Sequence, residues 1–404
     1  MDARNIGLTI AQLRKKNGMT QSALAEQLQI SAKTVSRWES GLGYPEITQF
    51  PMLAKIFGVS IDYLMTGERK GIIFAGNILA DVVKAVDCYP KIGMLANIKS
   101  VSRSVGGCVP NTAINLAKID RSIPITAIGR VGDDEYGQYV ISRMRQFGIN
   151  TDRVCVSATQ PTSFSDVISL PSGERTFFHA RGANAEFCPE DVDVSTLNGS
   201  ILHAGYILLL DSMDAEDAEY GTVMARFLHS VQERGIKTSV DVVSDSSADY
   251  HKMIVPALKY CNYAILNEIE STSIWGLSPR REDGKLHIDN LKETMRRMAE
   301  CGVKDKIIVH SKEAGMCLDV ASGEFTLVPS LDVPRSLFKG SVGAGDAFCS
   351  GCLYSLYNGL SDQEMLEFAS AAAVCNLFAE NAIDGMRSKN EIMKLLEEYG
   401  REVL

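Results

Sequence analysis

The stretch "KGSVGAGDAFCSG", residues 339–351, decides how this chain is interpreted. Gly343, Ala344 and Gly345 are small enough for the backbone to approach an anion, and the apolar residues that follow are typical of a helix. Because free N–H groups and the helix dipole attract anions at a helix N-terminus, these residues predict an anion site, although small residues also serve close packing. Asp346, directly behind them, would repel an anion and must therefore face a different reactant.

Length, composition and charge predict at least two domains. The chain has 404 residues, more than one hydrophobic core usually serves, with 45% hydrophobic and 23% charged residues. Its net charge of -9 is uneven: residues 1–66 hold seven basic and five acidic residues, whereas the remainder holds 34 basic and 45 acidic ones. An acidic remainder argues against nucleic-acid binding by the whole chain, but a mildly basic first part is compatible with DNA binding.

The cysteines and apolar runs predict a reduced, cytoplasmic protein without a membrane segment. Ten cysteines are dispersed, and charge interrupts the first residues, unlike a secretory signal. Cys349 and Cys352 form the one close pair, interpreted as small residues on a packed helix face, and the histidines show no metal-ligand spacing. The most apolar run, residues 201–210, is about half a membrane span and predicts a buried strand.

From Ile72 onward, strand-like apolar runs alternate with helical segments. The runs are "GIIFAGN", "PITAIGRVG", "SILHAGYILLL", "KTSVDVV", "YAILN" and "DKIIVH". This alternation predicts a parallel sheet with helices on both faces and ligands beyond the carboxyl ends of the strands. Residues 91–107 and 154–184 instead alternate polar and apolar side chains around a Pro-Ser-Gly turn, which predicts a small antiparallel sheet that acts as a lid.

Four motifs in this region carry a family resemblance. GxxxxGK[ST], GxGxxG, HRD and DFG do not occur, which excludes a Walker-type phosphate loop, a Rossmann dehydrogenase and a protein kinase. The motifs "SVGGCVPNTAINLAKI", "IGRVGDDEYG", "LNEIE" and "GSVGAGDAFCSG", in this order and spacing, resemble the ribokinase-like PfkB carbohydrate kinase family over roughly residues 72–400. The resemblance implies a three-layer α/β/α fold and transfer of the ATP γ-phosphate to a sugar or nucleoside hydroxyl.

The resemblance also implies roles for individual residues. Asp346 would be the general base for the acceptor hydroxyl, and residues 343–345 the anion hole for the moving phosphoryl group. Asn267 and Glu270 match the family's NxxE, which organises Mg²⁺ through its waters, although Glu270 could instead be a solvated helix-end carboxylate. The implied substrate-binding residues are Asp81, which ends the first strand, Gly106, Gly107 and Asn111. The implied nucleotide-binding residues further include Gly315 and Gly385. Gly385 and Ser388 also fall where the family often has a K⁺ site.

The sequence departs from the family pattern at several positions. Gly340 stands where relatives carry Asp before the loop, residues 241–249 lack DxNxR, and Lys312 occupies a Gly position. Leu79 and Cys108 replace the Asn and Lys that ribokinases proper carry near the sugar, so the resemblance does not single out ribose.

Residues 1–66 have a different character, that of a helix-turn-helix. Helical spacing over residues 5–16 is followed by two short helical segments, 21–28 and 32–39, which are joined by a tight turn. This geometry lets one helix lie in a DNA major groove. Two further short segments close an all-α, five-helix core, which contains Leu24, Leu28, Ile30, Val35, Trp38, Leu53, Ile56, Phe57 and Leu64.

This segment resembles the lambda-repressor-like (Cro/C1-type) helix-turn-helix family in "MTQSALAEQL", "SAKTVSRWESG" and "LAKIFGVSIDYLM". The resemblance implies an ion pair between Arg14 and Glu39. It also places Gln21 on a phosphate, and Ala32, Lys33 and Arg37 on the base edges of double-stranded DNA. The alternatives are a solvated helix face and docking to a protein.

Taken together, the sequence predicts a helix-turn-helix domain at 1–66, a short linker at 67–71 and a kinase domain at 72–404. Three functions stay open: a sugar kinase that also regulates transcription, a sugar-sensing regulator with an inactive kinase fold, and an enzyme whose head docks to protein. Lambda-type heads bind DNA as dimers. Because no spare dimer helix is visible, we expect the kinase body to form a homodimer through its lid.

Overall fold

The computed structural model describes residues 3–59, 61–67, 70–171, 174–244 and 249–403. These residues form two compact units, one that runs to Lys70 and includes Ser355–Ser361, and one that holds the rest from Gly71 onward. Within the described ranges, no helix combines the length and the apolar character that a membrane crossing requires.

The first unit is all-α, as predicted. Its helices are α1 (Ala3–Lys16), α2 (Gln21–Gln27), α3 (Ala32–Glu39), α4 (Phe50–Phe57) and α5 (Ile61–Thr66). The hydroxyls of Thr20 and Ser31 accept hydrogen bonds from backbone N–H groups in the first turns of α2 and α3, which fixes where both helices begin. All nine predicted core residues are confirmed: seven are buried, and Ile30 and Ile56 pack partly buried against them.

An ion pair joins the first and third helices of this unit. Arg14 Nη2 donates to Glu39 Oε2 at 2.8 Å, and Arg14 Nη1 donates to the carbonyl of Met19 at 2.7 Å. Burial alone would raise the pKa of Glu39, but the hydrogen bonds from Arg14 and Gln21 outweigh it and hold that pKa below its usual value. The predicted Arg14–Glu39 pair is therefore confirmed, and it fixes the position of α3 against α1.

The second unit contains two larger sheets and one short hairpin, whose two strands have two residues each. The described strands are, in chain order, β1 (Gly71–Gly76), β2 (Leu79–Val86), β3 (Ile98–Gly106), β4 (Ile125–Gly132), β5 (Asn150–Ser157), β6 (Phe164–Ser169), β7 (Arg175–Ala180), β8 (Gly199–Ile207), β9 (Glu216–Asp217), β10 (Gly221–Thr222), β11 (Lys237–Val242), β12 (Tyr263–Asn267), β13 (Lys306–His310), β14 (Ala314–Asp319) and β15 (Phe325–Pro329). The six strands predicted from apolar runs are all present.

The large sheet has the strand order β15-β14-β13-β12-β11-β8-β1-β4-β5. Every neighbouring pair from β13 to β5 is parallel, whereas β14 and β15 extend the edge antiparallel. The described helices are α6 (Cys108–Ile119), α7 (Glu135–Gln146), α8 (Asp211–Asp214), α9 (Val223–Glu233), α10 (Tyr250–Leu258), α11 (Glu268–Ser273), α12 (Ile288–Cys301), α13 (Ala344–Asn358), α14 (Asp362–Leu377) and α15 (Lys389–Glu398). One core joins α9, α10 and α12 to the sheet and another joins α6, α13 and α14, giving the predicted α/β/α layers.

The small sheet differs from its expected extent. Its order is β3-β2-β6-β7, so β2 belongs to it, although no strand was predicted there. Residues 91–97 contain no strand, and residues 154–157 lie in β5, which pairs parallel with β4 at the edge of the large sheet. An edge strand is half-exposed, so it shows the same alternation of polar and apolar residues as an antiparallel ribbon.

Candidate active site

Asp346 lies in the first turn of α13 and is only 5% exposed. Asn111 Nδ2 of α6 donates to its Oδ2 at 2.9 Å. The hydroxyl of Tyr206, in β8, lies 2.9 Å from Oδ1 and 3.1 Å from Oδ2. Three elements that are distant in sequence therefore meet at one buried carboxyl group.

The pKa of Asp346 is raised to about 7. Burial is the largest cause, and the negative charge of Asp241 adds to it, whereas the hydrogen bonds from Asn111 and Tyr206 act in the opposite direction. A carboxyl group that titrates near neutral pH can accept a proton from a substrate and later release it.

The loop before α13 has a backbone that requires glycine. Gly343 has a φ of +74°, and a Cβ there would lie 2.3 Å from the Cβ of Ala382. Ala344 and Gly345 open the helix and line a cleft of about 1680 Å³. The cleft exceeds the ~300–1,000 Å³ of a typical small-molecule pocket, but Asp346, Asn111 and Tyr206 are not among its described lining residues.

The cleft lies between the small sheet and the α/β body. The small sheet contributes Arg103 and Arg175, and the body contributes Lys312 and Lys339. Arg335 is a fifth basic residue of the lining, and five carboxylates line the cleft as well, so its charged side chains balance, and each basic one can pair with a negative group of a ligand. Lys312, which occupies a family Gly position, is thus placed where it can contact that ligand.

Asp81 is the third residue of β2 in the small sheet, and it does not end the first strand as expected. A Cβ on Gly106 would lie 2.4 Å from Asp81 Oδ2, so the glycine leaves room for this carboxylate. Gly107, with a φ of +86°, turns the chain into α6 and so presents Asn111 one turn later. Burial raises the pKa of Asp81 to about 7, opposed by the charge of Arg175. Of the four expected substrate residues, Asn111 thus contacts Asp346 directly, Asp81 acts on the pKa of Asp346 through its charge, and the two glycines lie beside Asp81 and Asn77.

Asn267 and Glu270 form a capping box at the start of α11. Asn267 Oδ1 accepts from the backbone N–H of Glu270 at 2.8 Å, and Glu270 Oε2 accepts from the N–H of Asn267 at 3.0 Å. Ser244 Oγ donates to Glu270 Oε1 at 3.0 Å. Burial, the largest cause, raises the pKa of Glu270 to about 8. Glu270 is therefore a buried, hydrogen-bonded group rather than a solvated helix-end carboxylate, and Asn267 lines the cleft.

Gly315, Gly385 and Ser388 do not line the cleft among the residues that the structure describes. A Cβ on Gly315 would lie 3.2 Å from the Phe348 ring, and one on Gly385 would lie 2.2 Å from the Cys375 carbonyl oxygen. Ser388 Oγ donates to Glu391 Oε2 at 2.5 Å in the capping box of α15. Both glycines are thus explained by close packing.

Several residues of the site had no role predicted from the sequence. Tyr206 has a φ of +61°, which is rare for a tyrosine. It contacts Asp346 because the fold brings β8 and α13 together, although the two elements are far apart in the sequence. The buried Asn77 side chain has no hydrogen-bond partner within the described residues. A Cβ on Gly340 would lie 3.4 Å from Arg175 Nη2, so this cation lies next to the position where relatives carry Asp.

In the helical unit, the four residues expected to contact DNA differ in how exposed their side chains are and in whether they are hydrogen-bonded within the unit. Lys33 and Arg37 are exposed one turn apart on α3, and Ala32 is its half-buried first residue. Gln21 opens α2, and its Nε2 donates to Glu39 Oε2 at 2.8 Å. Its side chain is therefore engaged within the unit.

Comparisons with known proteins agree with this geometry. The sequence model of the pfkB family carbohydrate kinases matches residues 71–389, and a helix-turn-helix model matches residues 10–64. Ribokinase of Arabidopsis thaliana is 24% identical over 332 residues, 81% of each chain. A 5-dehydro-2-deoxygluconokinase of Clostridium perfringens is 24% identical over 321 residues, 76% of this chain and 90% of its own. The structure of Arabidopsis ribokinase complexed with ribose and ATP has a TM-score of 0.68 and 20% identity, and covers 82% of this chain and 99% of that one.

The fold and the site define a ribokinase-like α/β protein with a helix-turn-helix unit at its N-terminal end. The family match covers well over half of the chain. The chain therefore belongs to the pfkB family of carbohydrate kinases.

Proposed function

We propose that this protein is an ATP-dependent kinase that phosphorylates a hydroxyl group of a sugar or of a related polyol or nucleoside. The observation that carries the proposal is the buried Asp346, whose carboxyl group titrates near neutral pH directly behind a glycine-containing helix N-terminus. Asp346 takes the proton from the acceptor hydroxyl. The backbone N–H groups of residues 343–345 then stabilise the negative charge on the transferred phosphoryl group, once the Ala344 N–H has left its 3.3 Å hydrogen bond to the carbonyl of Ser341.

The acceptor is held on the Asp346 side of the site. Asp81 and Asn111 reach it from β2 and α6. Oδ1 of Asn111 and both polar side-chain atoms of Asn77 are buried and have no hydrogen-bond partner among the described residues. Substrate hydroxyls would satisfy them. The two relatives named above act on different sugars at the same identity, and Leu79 and Cys108 depart from the ribokinase pattern. The proposal therefore names the class of acceptor and not ribose.

ATP occupies the cleft, where basic side chains such as Lys312 and Lys339 are available to its phosphates. Asn267 lines this cleft, and its amide donates to the carboxyl group of Glu270 behind it. Oxygen ligands of this kind are what a hydrated Mg²⁺ prefers, so these residues fit the ion, which would neutralise phosphate charge. The roles of Gly315 and Gly385 in nucleotide binding rest on the resemblance alone. A K⁺ site at Gly385 and Ser388 would require Ser388 to exchange its bond to Glu391.

Asp346→Asn tests the kinase proposal. The amide cannot take the hydroxyl proton, so we expect kcat to fall by ~10² to 10⁴-fold while ATP binding is retained. ADP release is measured with Mg²⁺ over a panel of sugars, polyols and nucleosides. Asp289→Asn, which removes an exposed carboxylate from the first turn of another helix, α12, away from the cleft, is the matched control and should leave kcat unchanged.

A wild-type protein that binds a panel compound but never turns it over would contradict the kinase proposal. That result would favour the alternative, a sugar-sensing transcriptional regulator with an inactive kinase fold. The buried Asp346 argues against this alternative, since a sensor has no need of a group that exchanges protons near neutral pH.

We further propose that residues 1–66, joined by a linker at 67–71 to the kinase domain at 72–404, bind double-stranded DNA and regulate transcription. The support is the exposed pair Lys33 and Arg37 on α3, whose side chains can donate to guanine O6 and N7. Ala32 lies at the start of the same helix, and Gln21 would release Glu39 when it contacts a phosphate.

Lys33→Ala and Arg37→Ala should each weaken sequence-specific DNA binding by at least ~10-fold, since a good base contact contributes ~1–3 kcal/mol. The measurement selects binding sites from a random duplex library with the full chain and then compares the variants on the selected site. Lys55→Ala, an exposed lysine on α4, is the control. Equal binding by all three variants would refute this role for α3.

We also propose that a second copy of the chain covers the small sheet. Its edge strands β3 and β7 expose Ile98, Val101 and Phe178, each more than half accessible, together with unpaired backbone groups. Lambda-type heads require two copies on DNA, which makes self-association the occupant that fits the function.

Ile98→Glu with Val101→Glu should convert a dimer to a monomer in sedimentation velocity experiments, because buried glutamates would repel across the interface. Met393→Glu, an equally exposed apolar residue on α15, should leave the dimer intact. A wild-type chain that sediments as a monomer at high concentration would exclude the interface.

A further inference from the structure

A second group of side chains lies behind the candidate active site. Cys108, His203 and Asp241 each offer one ligand atom, and these atoms all lie within 4.8 Å of one another. Cys108 and His203 are fully buried, and Asp241 is 8% exposed. They come from α6, β8 and β11, so their sequence separations gave no metal-ligand spacing.

The two distances to Asp241 within the group match those of a tetrahedral site. Cys108 Sγ lies 3.4 Å from Asp241 Oδ2, and His203 Nε2 lies 3.5 Å from the same oxygen. Cys349 Sγ lies 3.5 Å from His203 Nε2, so this cysteine has a histidine partner that its sequence neighbourhood lacks. Zn–S bonds of about 2.3 Å and Zn–N or Zn–O bonds of about 2.0–2.2 Å give ligand-to-ligand distances of about 3.3–3.8 Å around a tetrahedron.

The histidine ring is oriented for metal binding. Its Nδ1 lies 3.0 Å from Ser239 Oγ. With the ring proton on Nδ1 and donated to that hydroxyl, Nε2 presents its lone pair to Asp241 and Cys349. Such an outer partner fixes the tautomer and ring position of metal-ligating histidines.

We propose that Cys108, His203 and Asp241 bind a structural Zn²⁺ ion, and that Cys349, whose Sγ lies outside this group of atoms, becomes the fourth ligand by a rotation of its side chain. Two thiolates, an imidazole and a carboxylate suit zinc rather than Mg²⁺, which prefers oxygen ligands. Four protein ligands leave no open position, so the ion is structural and not catalytic. The inference does not depend on kinase activity, because binding of the metal is observable by itself.

The site has a consequence for the neighbouring carboxyl group. Asp241 Oδ1 accepts from the backbone N–H of Tyr206 at 2.7 Å, and the Tyr206 hydroxyl contacts Asp346. Asp241 is also one of the charges that face Asp346. A bound cation would therefore both fix the strand that positions Tyr206 and change the field at Asp346.

The test uses the full-length chain, expressed with zinc and purified without a metal-affinity step. Mass spectrometry of metals should find one zinc per chain. After chelation and addition of Co²⁺, the protein should show the intense d–d and thiolate-to-cobalt charge-transfer absorption of a tetrahedral site. Absence of both bound zinc and the cobalt spectrum would overturn the proposal.

Variants locate the ion. Cys108→Ala and Cys349→Ala should lose or strongly reduce the charge-transfer band, and Ser239→Ala should weaken zinc binding by ~10 to 100-fold. Cys352→Ala is the matched control: it is equally buried on α13, one turn from Cys349, and should keep the full spectrum. Equal loss in Cys352→Ala would contradict the assignment.

If the ligand variants do not fold, X-ray absorption spectroscopy of the wild-type protein with bound zinc identifies the atoms that coordinate the ion. The proposal requires sulfur scatterers at about 2.3 Å together with nitrogen or oxygen at about 2.0 Å. A shell of only oxygen and nitrogen would identify an ion bound elsewhere and refute the site.

Discussion

The burial of the Asp346 carboxylate is the constraint on which the rest of the site depends. A carboxylate with so little access to water is stable only if the protein supplies donors, and these come from Asn111 and Tyr206. The parallel sheet places β8, which carries Tyr206, next to β1. After β1 the chain passes through β2 and β3 of the small sheet and then turns at Gly107 into α6, which carries Asn111. The fold thus brings one carboxyl group, its donors and the N-terminus of α13 to the same point.

The small sheet completes this arrangement from the other side of the cleft. It carries Asp81 toward the acceptor side and Arg175 toward the loop that precedes α13. Arg175 Nη2 donates to the carbonyl of Glu380 at 3.2 Å, close to Gly340. The arginine therefore occupies space beside the position where relatives carry a carboxylate, so the departure at Gly340 leaves a positive charge near the loop that we propose binds phosphate. This difference supports rather than opposes the binding of an anionic ligand.

Much of the fold could be predicted from the sequence because its signals are local. Apolar runs identified the parallel strands, and caps such as Thr20 identified the short helices. β2 escaped prediction because it follows β1 after only Asn77 and Ile78 and resembles a continuation of that strand. Residues 154–157 were placed in the lid because an edge strand shows the same alternation as a ribbon.

The site was predictable only where a motif carries it. The loop at 343–345 and Asp346 lie in one short motif, whereas Tyr206, Asn77 and the group around His203 depend on which strands become neighbours. No residue within "ILHAGYILLL" indicates that Tyr206 turns back toward α13, because its φ of +61° is set by the packed structure. Pairings such as Cys349 with His203 are likewise decided by strand order and helix placement, which local patterns do not encode.

The central claim is that Asp346 acts as the base in its unprotonated form, and the pH profile of phosphoryl transfer tests it most directly. Since burial raises the pKa of this carboxyl group to about 7, kcat/KM of the free enzyme should be constant above that pH. Below it, kcat/KM should fall by tenfold per pH unit as the base becomes protonated. A profile that stays flat from pH 5 to pH 8, measured with a substrate that is turned over, would contradict the account.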